Sequence, residues 1–275
     1  MLGVNTLWLF CRRMMMRRYR SGANIFSFDG VKVALDFAYP NHRSIYLRGG
    51  FEPELTHVLQ GAVRPGDVFV DIGANFGWYT NWLLVKEPGL PAAYAFEPVE
   101  ATFRLLERSL RANRCERRCV ARRLAIGAES STLTIKKFAG LDLMHASLYP
   151  LADLPFEEEE VGVKPLDLLV QEMVSVPAVI KCDVEGGERD VLLGSANLMA
   201  GAFGTPPLWF LEANYETAAM AGYFPWELAE IAAKYGYRSY TLRGSQVTEL
   251  CSNRGLRHGD VLILAIPASH QDRLL

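Results

Sequence analysis

The chain has 275 residues with a formal charge of −2, and half of its residues are hydrophobic. This length suits one large α/β domain rather than two comparable ones. The composition excludes a disordered or fibrous protein, and the slight negative charge argues against a general polyanion binder, which needs an excess of Lys and Arg. Its five cysteines form no C-x-x-C pair, which predicts a reducing, cytoplasmic location.

The N-terminal fifty residues predict a helix followed by a short β-strand preface. The apolar stretch at residues 6–11 precedes five arginines, so it has neither the length of a membrane span nor the charge order of a signal peptide. A helix packed on the domain is the main interpretation, and weak contact of its arginines with an anionic membrane surface is the alternative. Apolar and polar residues then alternate, which predicts strands at Phe26–Phe37 and Arg43–Arg48 around a turn at residues 39–41.

From residue 51 to residue 275 the pattern predicts one domain in which strands alternate with helices. Such alternation is typical of a mostly parallel sheet with helices on both faces. The seven sheet strands are predicted at Val68–Ile72, Ala93–Phe96, Arg118–Ala125, Ala178–Cys182, Leu208–Ala213, Arg238–Leu242 and Val261–Ile266. Residues 131–138 predict an added strand, and an irregular stretch follows to about Gly162. The acids Glu157–Glu160 within that stretch predict only a solvated face.

A glycine-rich turn follows the first strand of this domain, with the sequence Asp-Ile-Gly-Ala-Asn-Phe-Gly at residues 71–77. Gly73 and Gly77 remove side chains where a ligand passes close to the backbone, and the next helix offers free N–H groups. Glu97 ends the next strand, where a carboxylate can accept from both ribose hydroxyls. The turn and Glu97 together predict a site for an adenosine-like ligand with a short tail.

The same turn argues against two other nucleotide sites. A dinucleotide fingerprint needs a second glycine where the pyrophosphate approaches, and here Ala74, Asn75 and Phe76 separate the two glycines. The chain also contains no G-x-x-x-x-G-K-[ST] loop, which disfavours hydrolysis of a nucleoside triphosphate.

Five segments, in this order and spacing, resemble the FkbM family of methyltransferases. They are Asp71–Thr80, Ala95–Pro98, Leu124–Gly127, Pro165–Asp167 and, most specifically, Ile180–Glu188 with the sequence Ile-Lys-Cys-Asp-Val-Glu-Gly-Gly-Glu. Cys182 and Gly187 replace the usual Ile and Ala of the last segment. The resemblance implies the class I methyltransferase fold, which is Rossmann-like, and S-adenosylmethionine as cofactor. It also implies O-methylation of a hydroxyl on a sugar, glycan or natural product.

The resemblance assigns roles to particular residues. The methionine end of the cofactor would be held by Asp71, Gly73, Asn75 and Gly77, the ribose by Glu97, and the adenine by Leu124 and Ala125. The predicted cofactor-binding set is completed by Thr80, Pro98 and Asp183. The region before residue 50 and the loop from Ala139 to Gly162 match the family poorly.

Methyl transfer to a hydroxyl needs a base close to the acceptor oxygen. Asp183 follows a strand beside the glycine-rich turn, and Glu185 lies two residues further on, so both are candidate catalytic residues. The alternative is that this pair caps the following helix. His145, in the irregular stretch, is a third candidate because its pKa suits proton transfer near neutral pH.

Three further interpretations remain open. Asp183, Glu212 and Asn214 end neighbouring strands and could offer oxygen ligands to a magnesium ion. A protein that kept this fold but lost catalysis is a rival, although Asp71, Glu97 and Asp183 are all present. A nucleic-acid methyltransferase is a second rival, but the expected partner is a small-molecule or glycan hydroxyl acceptor rather than a nucleic acid.

Overall fold

The protein is described here by a computed structural model that covers residues 22–138, 156–244, 246–252, 255–257 and 259–274. Its strands are β1 Ala23–Phe28, β2 Val31–Asp36, β3 Val68–Ile72, β4 Ala92–Phe96, β5 Cys119–Arg122, β6 Ala125–Ile126, β7 Ser131–Phe138, β8 Phe156–Lys164, β9 Val179–Cys182, β10 Leu208–Ala213, β11 Arg238–Arg243, β12 Gln246–Glu249 and β13 Asp260–Ala265. Its helices are α1 Pro40–Arg48, α2 Pro53–Ala62, α3 Trp78–Lys86, α4 Glu100–Asn113, α5 Leu166–Val170, α6 Glu188–Leu193, α7 Ala196–Met199, α8 Tyr215–Met220, α9 Trp226–Ala233 and α10 Pro267–His270, followed by a 3₁₀ turn at Gln271–Arg273.

The centre of the fold is an eight-stranded sheet in the order β12-β11-β13-β10-β9-β3-β4-β5. The five strands from β10 to β5 are parallel, and β13 pairs antiparallel with both β10 and β11. The chain leaves β3 toward β4 and later returns on its other side as β9. This reversal of strand order places a crevice at the carboxyl ends of β3 and β9, where ligands bind in open α/β sheets.

The prediction of a class I methyltransferase-like α/β sheet is correct in type and wrong in strand count. The eighth strand, β12, pairs only with β11 at the edge of the sheet. Its sequence, Gln-Val-Thr-Glu, is short and polar, so apolar periodicity gave no signal for it.

The sheet separates two hydrophobic cores. Phe69 packs into one core with α3 and α4, whereas Val68 and Val70 face the other core with α5, α6 and α9. All five residues of β3 and all five of β4 are buried, because a parallel strand is covered on both faces. Each large side chain buried in this way contributes about 1.5–3 kcal/mol.

The N-terminal preface differs from the prediction at Arg43–Arg48, which is helical and not a strand. Pro40 occupies the first turn of α1, where its missing N–H is not needed, and Gly49 ends the helix in the left-handed region. Helical spacing lets His42, Ile45 and Tyr46 share the buried face. The predicted strand at Phe26–Phe37 is a hairpin of β1 and β2. Both α1 and this hairpin pack into the first core.

A second departure concerns the stretch predicted to be irregular up to Gly162. Residues from Phe156 onward form β8, which pairs antiparallel with β7 and parallel with β6 in a separate three-stranded sheet. Glu158 of β8 lies opposite Lys136 of β7, and opposite charges on facing strands stabilise such a pair.

The helical segment that follows β9 is divided into α6 and α7 around Gly194. A Cβ atom at Gly194 would lie 2.0 Å from the carbonyl oxygen of Gly127. The chain therefore turns between α6 and α7 at the point where its backbone touches the backbone at Gly127. The longest helix of the described ranges has 14 residues, and none of the helices there is long and apolar enough to span a membrane.

Candidate active site

The glycine-rich turn approaches the end of β9 very closely. Gly73 has φ of 71°, and a Cβ atom there would lie 1.7 Å from the carbonyl oxygen of Asp183. The Gly73 N–H and the Ala74 N–H both donate to the carbonyl of Phe96, at 2.9 and 3.0 Å. The turn is therefore fixed between β4 and β9, and only glycine fits at residue 73.

Glu97 is a buried carboxylate at the end of β4. Its Oε2 accepts from the Asn75 N–H at 2.8 Å, and its Oε1 accepts from the Val99 N–H at 2.9 Å and the Thr102 hydroxyl at 2.8 Å. Burial raises the pKa of Glu97, although these three bonds oppose the rise. A carboxylate has about four acceptor positions, so Oε2 keeps capacity for a ligand hydroxyl.

A cavity opens between the glycine-rich turn, β4 and the three-stranded sheet, and we call it the turn cavity. Seven of the predicted cofactor-binding residues line it: Gly73, Asn75, Glu97, Pro98, Leu124, Ala125 and Asp183. Leu133 and Ile135 of β7 add an apolar roof that the sequence did not assign to the site. Glu185 also lines this cavity.

The other three predicted cofactor-binding residues lie behind the wall of the turn cavity. Asp71 has no exposed surface, and its Oδ2 accepts from the Thr80 hydroxyl at 2.6 Å. Gly77 has φ of 82°, and a Cβ atom there would lie 2.4 Å from Leu106. These three residues support the glycine-rich turn from the side that faces away from the turn cavity. Their direct contact with a cofactor stays a prediction.

Lys181 is the buried cation that connects these carboxylates. Its Nζ donates to the Gly73 carbonyl at 2.9 Å and lies 3.7 Å from Asp71 Oδ1 and 3.4 Å from Asp183 Oδ2. Burial alone lowers the pKa of Lys181, but the carboxylates of Asp183, Asp71 and Glu52 outweigh burial and hold this pKa above its usual value. Lys181 therefore stays charged and neutralises the acids around it.

A second cavity, of about 400 Å³, lies on the other side of Asp183, and we call it the acidic cavity. Its polar wall consists of Glu52, Glu54, Lys181, Asp183 and Glu212. Its apolar floor comes from strands β9, β10, β11 and β13 and from α2, through Leu55, Cys182, Phe210, Leu211, Leu242 and Val261. Asp183 is the residue that lines both cavities.

Sequence reasoning did not find Glu52 or Glu54. Glu52 precedes α2 and has φ of 38°, and its carboxylate accepts a hydrogen bond from the Tyr79 hydroxyl. Together with Asn75 and Glu185 it is one of three left-handed non-glycine residues that line the two cavities. Such strain is found preferentially at functional sites, but left-handed geometry at a glutamate has no signal in the sequence.

Three more acids gather around Asp183. Burial, reinforced by the charge of Asp183, raises the pKa of Glu185 to about 8 and that of Glu212 to about 10. Glu188 is also buried, and its pKa is raised for the same reason. Oε2 of Glu212 is buried without a hydrogen-bond partner among the described residues, so no donor there stabilises a negative charge on this oxygen.

We expect Glu212→Gln to stabilise the protein increasingly as pH rises. A carboxyl whose pKa is raised by folding favours the folded state fully below its unfolded pKa, near 4.5, and loses that contribution as pH approaches its folded pKa. Glutamine carries no such penalty. Chemical denaturation should show a gain at pH 8 that exceeds the gain at pH 5 by at least about 1 kcal/mol. A gain that is equal at both pH values would contradict the buried position of Glu212.

The predicted magnesium site does not fit these residues. Asn214 uses its Oδ1 to accept from the Glu216 and Thr217 N–H groups, which caps α8. Asp183, Glu188 and Glu212 do place oxygens within 4.8 Å of one another. However, Glu188 already accepts from two backbone N–H groups and from the Tyr223 hydroxyl. The Lys181 ammonium beside Asp183 also competes with a cation. We therefore derive no step through a metal.

His145 and the arginine-rich segment lie outside the described residues, so the structure does not bear on their predicted roles. Asp183 and Glu185, the other two candidate catalytic residues, both line the turn cavity. The alternative assigned to them, a pair that caps the following helix, is not observed: the α6 caps come from the backbone, and Glu188 accepts the Val184 and Gly186 N–H groups.

The chain is similar in sequence to known methyltransferases. A family model described as the methyltransferase FkbM domain matches residues 71–238. The chain is 28% identical over 180 residues to the 31-O-demethyl-FK506 methyltransferase FkbM of Streptomyces tacrolimicus, which covers 54% of this chain and 63% of that protein. It is 31% identical over 149 residues to methyltransferase 1 of Beauveria bassiana, which covers 47% of this chain and 59% of that protein. Both matches span less than two thirds of the relative's length.

Among solved structures, the chain is similar to methyltransferase FkbM from Methylobacillus flagellatus, with 16% identity and a TM-score of 0.48 over 96% of this chain and 60% of that chain. The sheet whose strand order leaves the crevice at β3 and β9 lies within a region that matches a methyltransferase domain. Because the family model covers more than half of the sequence, the chain belongs to the FkbM methyltransferase family.

Proposed function

We propose that the protein transfers a methyl group from S-adenosylmethionine to a hydroxyl of a small molecule or glycan. The observation that carries this proposal is that two cavities meet at Asp183. The turn cavity offers Glu97 for ribose hydroxyls and an apolar slot at Leu124, Ala125 and Ile135 for adenine. The acidic cavity then provides a separate space for the acceptor.

The chemistry is a direct displacement at the methyl carbon. Bound S-adenosylmethionine would supply an electrophilic methyl group, whose transfer to the acceptor oxygen would break the carbon–sulfur bond and leave its electron pair on sulfur. Asp183 takes the hydroxyl proton, because it lies at the junction and is half-buried. Lys181 contacts both the Asp183 carboxylate and the Gly73 carbonyl. It therefore holds the end of β9 at a fixed position relative to the glycine-rich turn, which orients the acceptor relative to the cofactor.

Oxygen as the acceptor atom has a second, independent support. The relative from Streptomyces tacrolimicus is named as a methyltransferase of a 31-O-demethyl compound, which describes methylation at oxygen. The acid-lined second cavity suits a hydroxyl, since carboxylates accept hydrogen bonds from hydroxyl groups.

Calorimetry tests the cofactor directly. We expect both S-adenosylmethionine and S-adenosylhomocysteine to bind the purified protein, and we expect Glu97→Gln to weaken both. If folded protein gave no heat of binding with S-adenosylmethionine and none with S-adenosylhomocysteine, the proposal would be refuted.

The assignment of Asp183 is tested with Asp183→Asn. We expect the turnover to fall by about 100-fold or more, the usual contribution of a positioned base, while the affinity for S-adenosylhomocysteine changes little. Turnover is measured as labelled methyl incorporated into a panel of hydroxyl compounds. Asp190→Asn, on the exposed part of α6, is the matched control and should leave turnover unchanged. Equal turnover of both variants would remove Asp183 from the chemistry.

A further inference from the structure

The acidic cavity is unbalanced in charge. Four carboxylates line it, from the start of α2, the end of β9 and the end of β10. Lys181 is the single cationic side chain among the described residues that line it. That cation is already engaged, because it donates to the Gly73 carbonyl and lies between Asp71 and Asp183. The cavity therefore offers four carboxyl groups and no free positive charge to an occupant. A cation bound beside Glu212, whose pKa is raised by burial, would favour the ionised form of that group.

The cofactor does not account for this charge. The sulfonium group of S-adenosylmethionine would lie in the turn cavity, and of the four acids only Asp183 also lines that cavity. Glu52, Glu54 and Glu212 line the acidic cavity alone. Arg48, which does not line the acidic cavity, lowers the pKa of Glu52 by its charge. Burial outweighs this effect and keeps the pKa of Glu52 above its ordinary value. These three acids are thus placed toward the second substrate.

Glu212 adds an observation that points to a ligand. Its Oε2 is buried with no hydrogen-bond partner in the described part of the chain, and a buried acceptor without a partner costs about 1–3 kcal/mol. Asp183 and Glu188 each place an oxygen within 4.8 Å of a Glu212 carboxyl oxygen, and neither gives Oε2 a hydrogen bond. Glu212 also lines the acidic cavity, so an N–H donor of the occupant can approach its carboxyl group, and a charged donor would stabilise the ionised form best.

We propose that the acceptor of this methyltransferase carries a protonated amine beside its hydroxyl group, and that Glu212 with Glu52 and Glu54 selects for it. This inference rests on the proposed function. The ammonium pairs with Glu212, the hydroxyl lies toward Asp183, and the apolar body packs on Phe210, Leu242 and Val261. An acceptor with a carboxylate or phosphate is excluded, because it would enter a site of like charge.

The test uses the full chain saturated with S-adenosylhomocysteine and a panel of matched triplets. Each triplet has one carbon skeleton with an ammonium, a neutral or an anionic substituent at the same carbon near the hydroxyl, for example 6-amino-6-deoxyglucose, glucose and glucuronate, with two triplets built on less polar rings. We expect at least one ammonium member to bind about tenfold or more tightly than its neutral partner. We also expect no binding of the anionic members, and a preference that decreases with added salt.

Two variants separate this inference from its alternatives. Glu212→Gln should remove the preference for the ammonium member, whereas Glu230→Gln, an exposed acid on α9, should keep it. Both variants should bind S-adenosylhomocysteine like the unaltered protein, which shows that the fold is intact. The inference is overturned when the cofactor product binds but no triplet prefers the ammonium, or when Glu212→Gln keeps the preference. Failure of the cofactor product itself to bind would instead refute the proposed function.

Discussion

Gly73→Ala should destabilise the protein by at least about 4 kcal/mol, a loss that is exceptional for one added methyl group. Two effects combine at this position. The left-handed φ of 71° costs an L-residue about 1–2 kcal/mol. The new Cβ atom would also lie 1.7 Å from the Asp183 carbonyl oxygen, so the end of β9 must move away from the turn.

Gly236→Ala is the matched control for this prediction. Gly236 has φ of 84°, and a Cβ atom added there would meet nothing within 4 Å, so this variant reports the cost of the backbone alone. Chemical denaturation of the two variants should differ by about 2 kcal/mol or more. Soluble Gly73→Ala protein should also lose affinity for S-adenosylhomocysteine. If the two variants were equally stable, the backbone at Gly73 would have to lie farther from the Asp183 carbonyl oxygen than this geometry requires.

Lys181→Met should cost about 3–5 kcal/mol, because it leaves a buried charge without its partner. Methionine fills nearly the same volume, so the loss reports charge and hydrogen bonding rather than a cavity. Asp71 has no exposed surface, and its Oδ1 has Lys181 as its nearest cation at 3.7 Å. Burial already raises the pKa of Asp71, and removing Lys181 raises it further. The loss should therefore be smaller at pH 5 than at pH 8.

The double variant Lys181→Met with Asp71→Asn decides whether charge is the cause. Asparagine at position 71 has no charge that needs a cationic partner. At least half of the stability lost in Lys181→Met should therefore return in the double variant. Free energies of unfolding for the two single variants and the double variant complete the cycle. A double variant whose losses simply add would mean that Asp71 and Lys181 do not interact.

The sequence predicts the parallel part of the sheet well because each of its strands is a continuous apolar run between turn residues. β3 is found at the predicted bounds, and β4, β9 and β10 within one residue of them. One error lies where the pairing partner is distant along the chain. β8 carries four consecutive glutamates, and its strand conformation depends on β7, a relation that local periodicity does not contain.

The candidate site divides in the same way. Gly73, Asn75, Glu97 and Asp183 follow neighbouring parallel strands, and the carboxyl ends of such strands meet at one edge. Their grouping could therefore be predicted from spacing alone. Glu52 reaches the same place from the start of α2, and nothing in its local sequence distinguishes it from an ordinary acid near a helix N-terminus. Only the fold, which brings the start of α2 to the acidic cavity beside Lys181 and Asp183, reveals it.

The arrangement of two cavities around Asp183 has a consequence for how such an enzyme diversifies. The turn cavity is held largely by backbone hydrogen bonds and glycine geometry at the ends of β3 and β4, so most substitutions there damage the fold. The acidic cavity is built from single side chains on α2, β10, β11 and β13, and each can be exchanged while the sheet stays intact. Selection can thus change what is methylated, residue by residue, while the source of the methyl group is preserved.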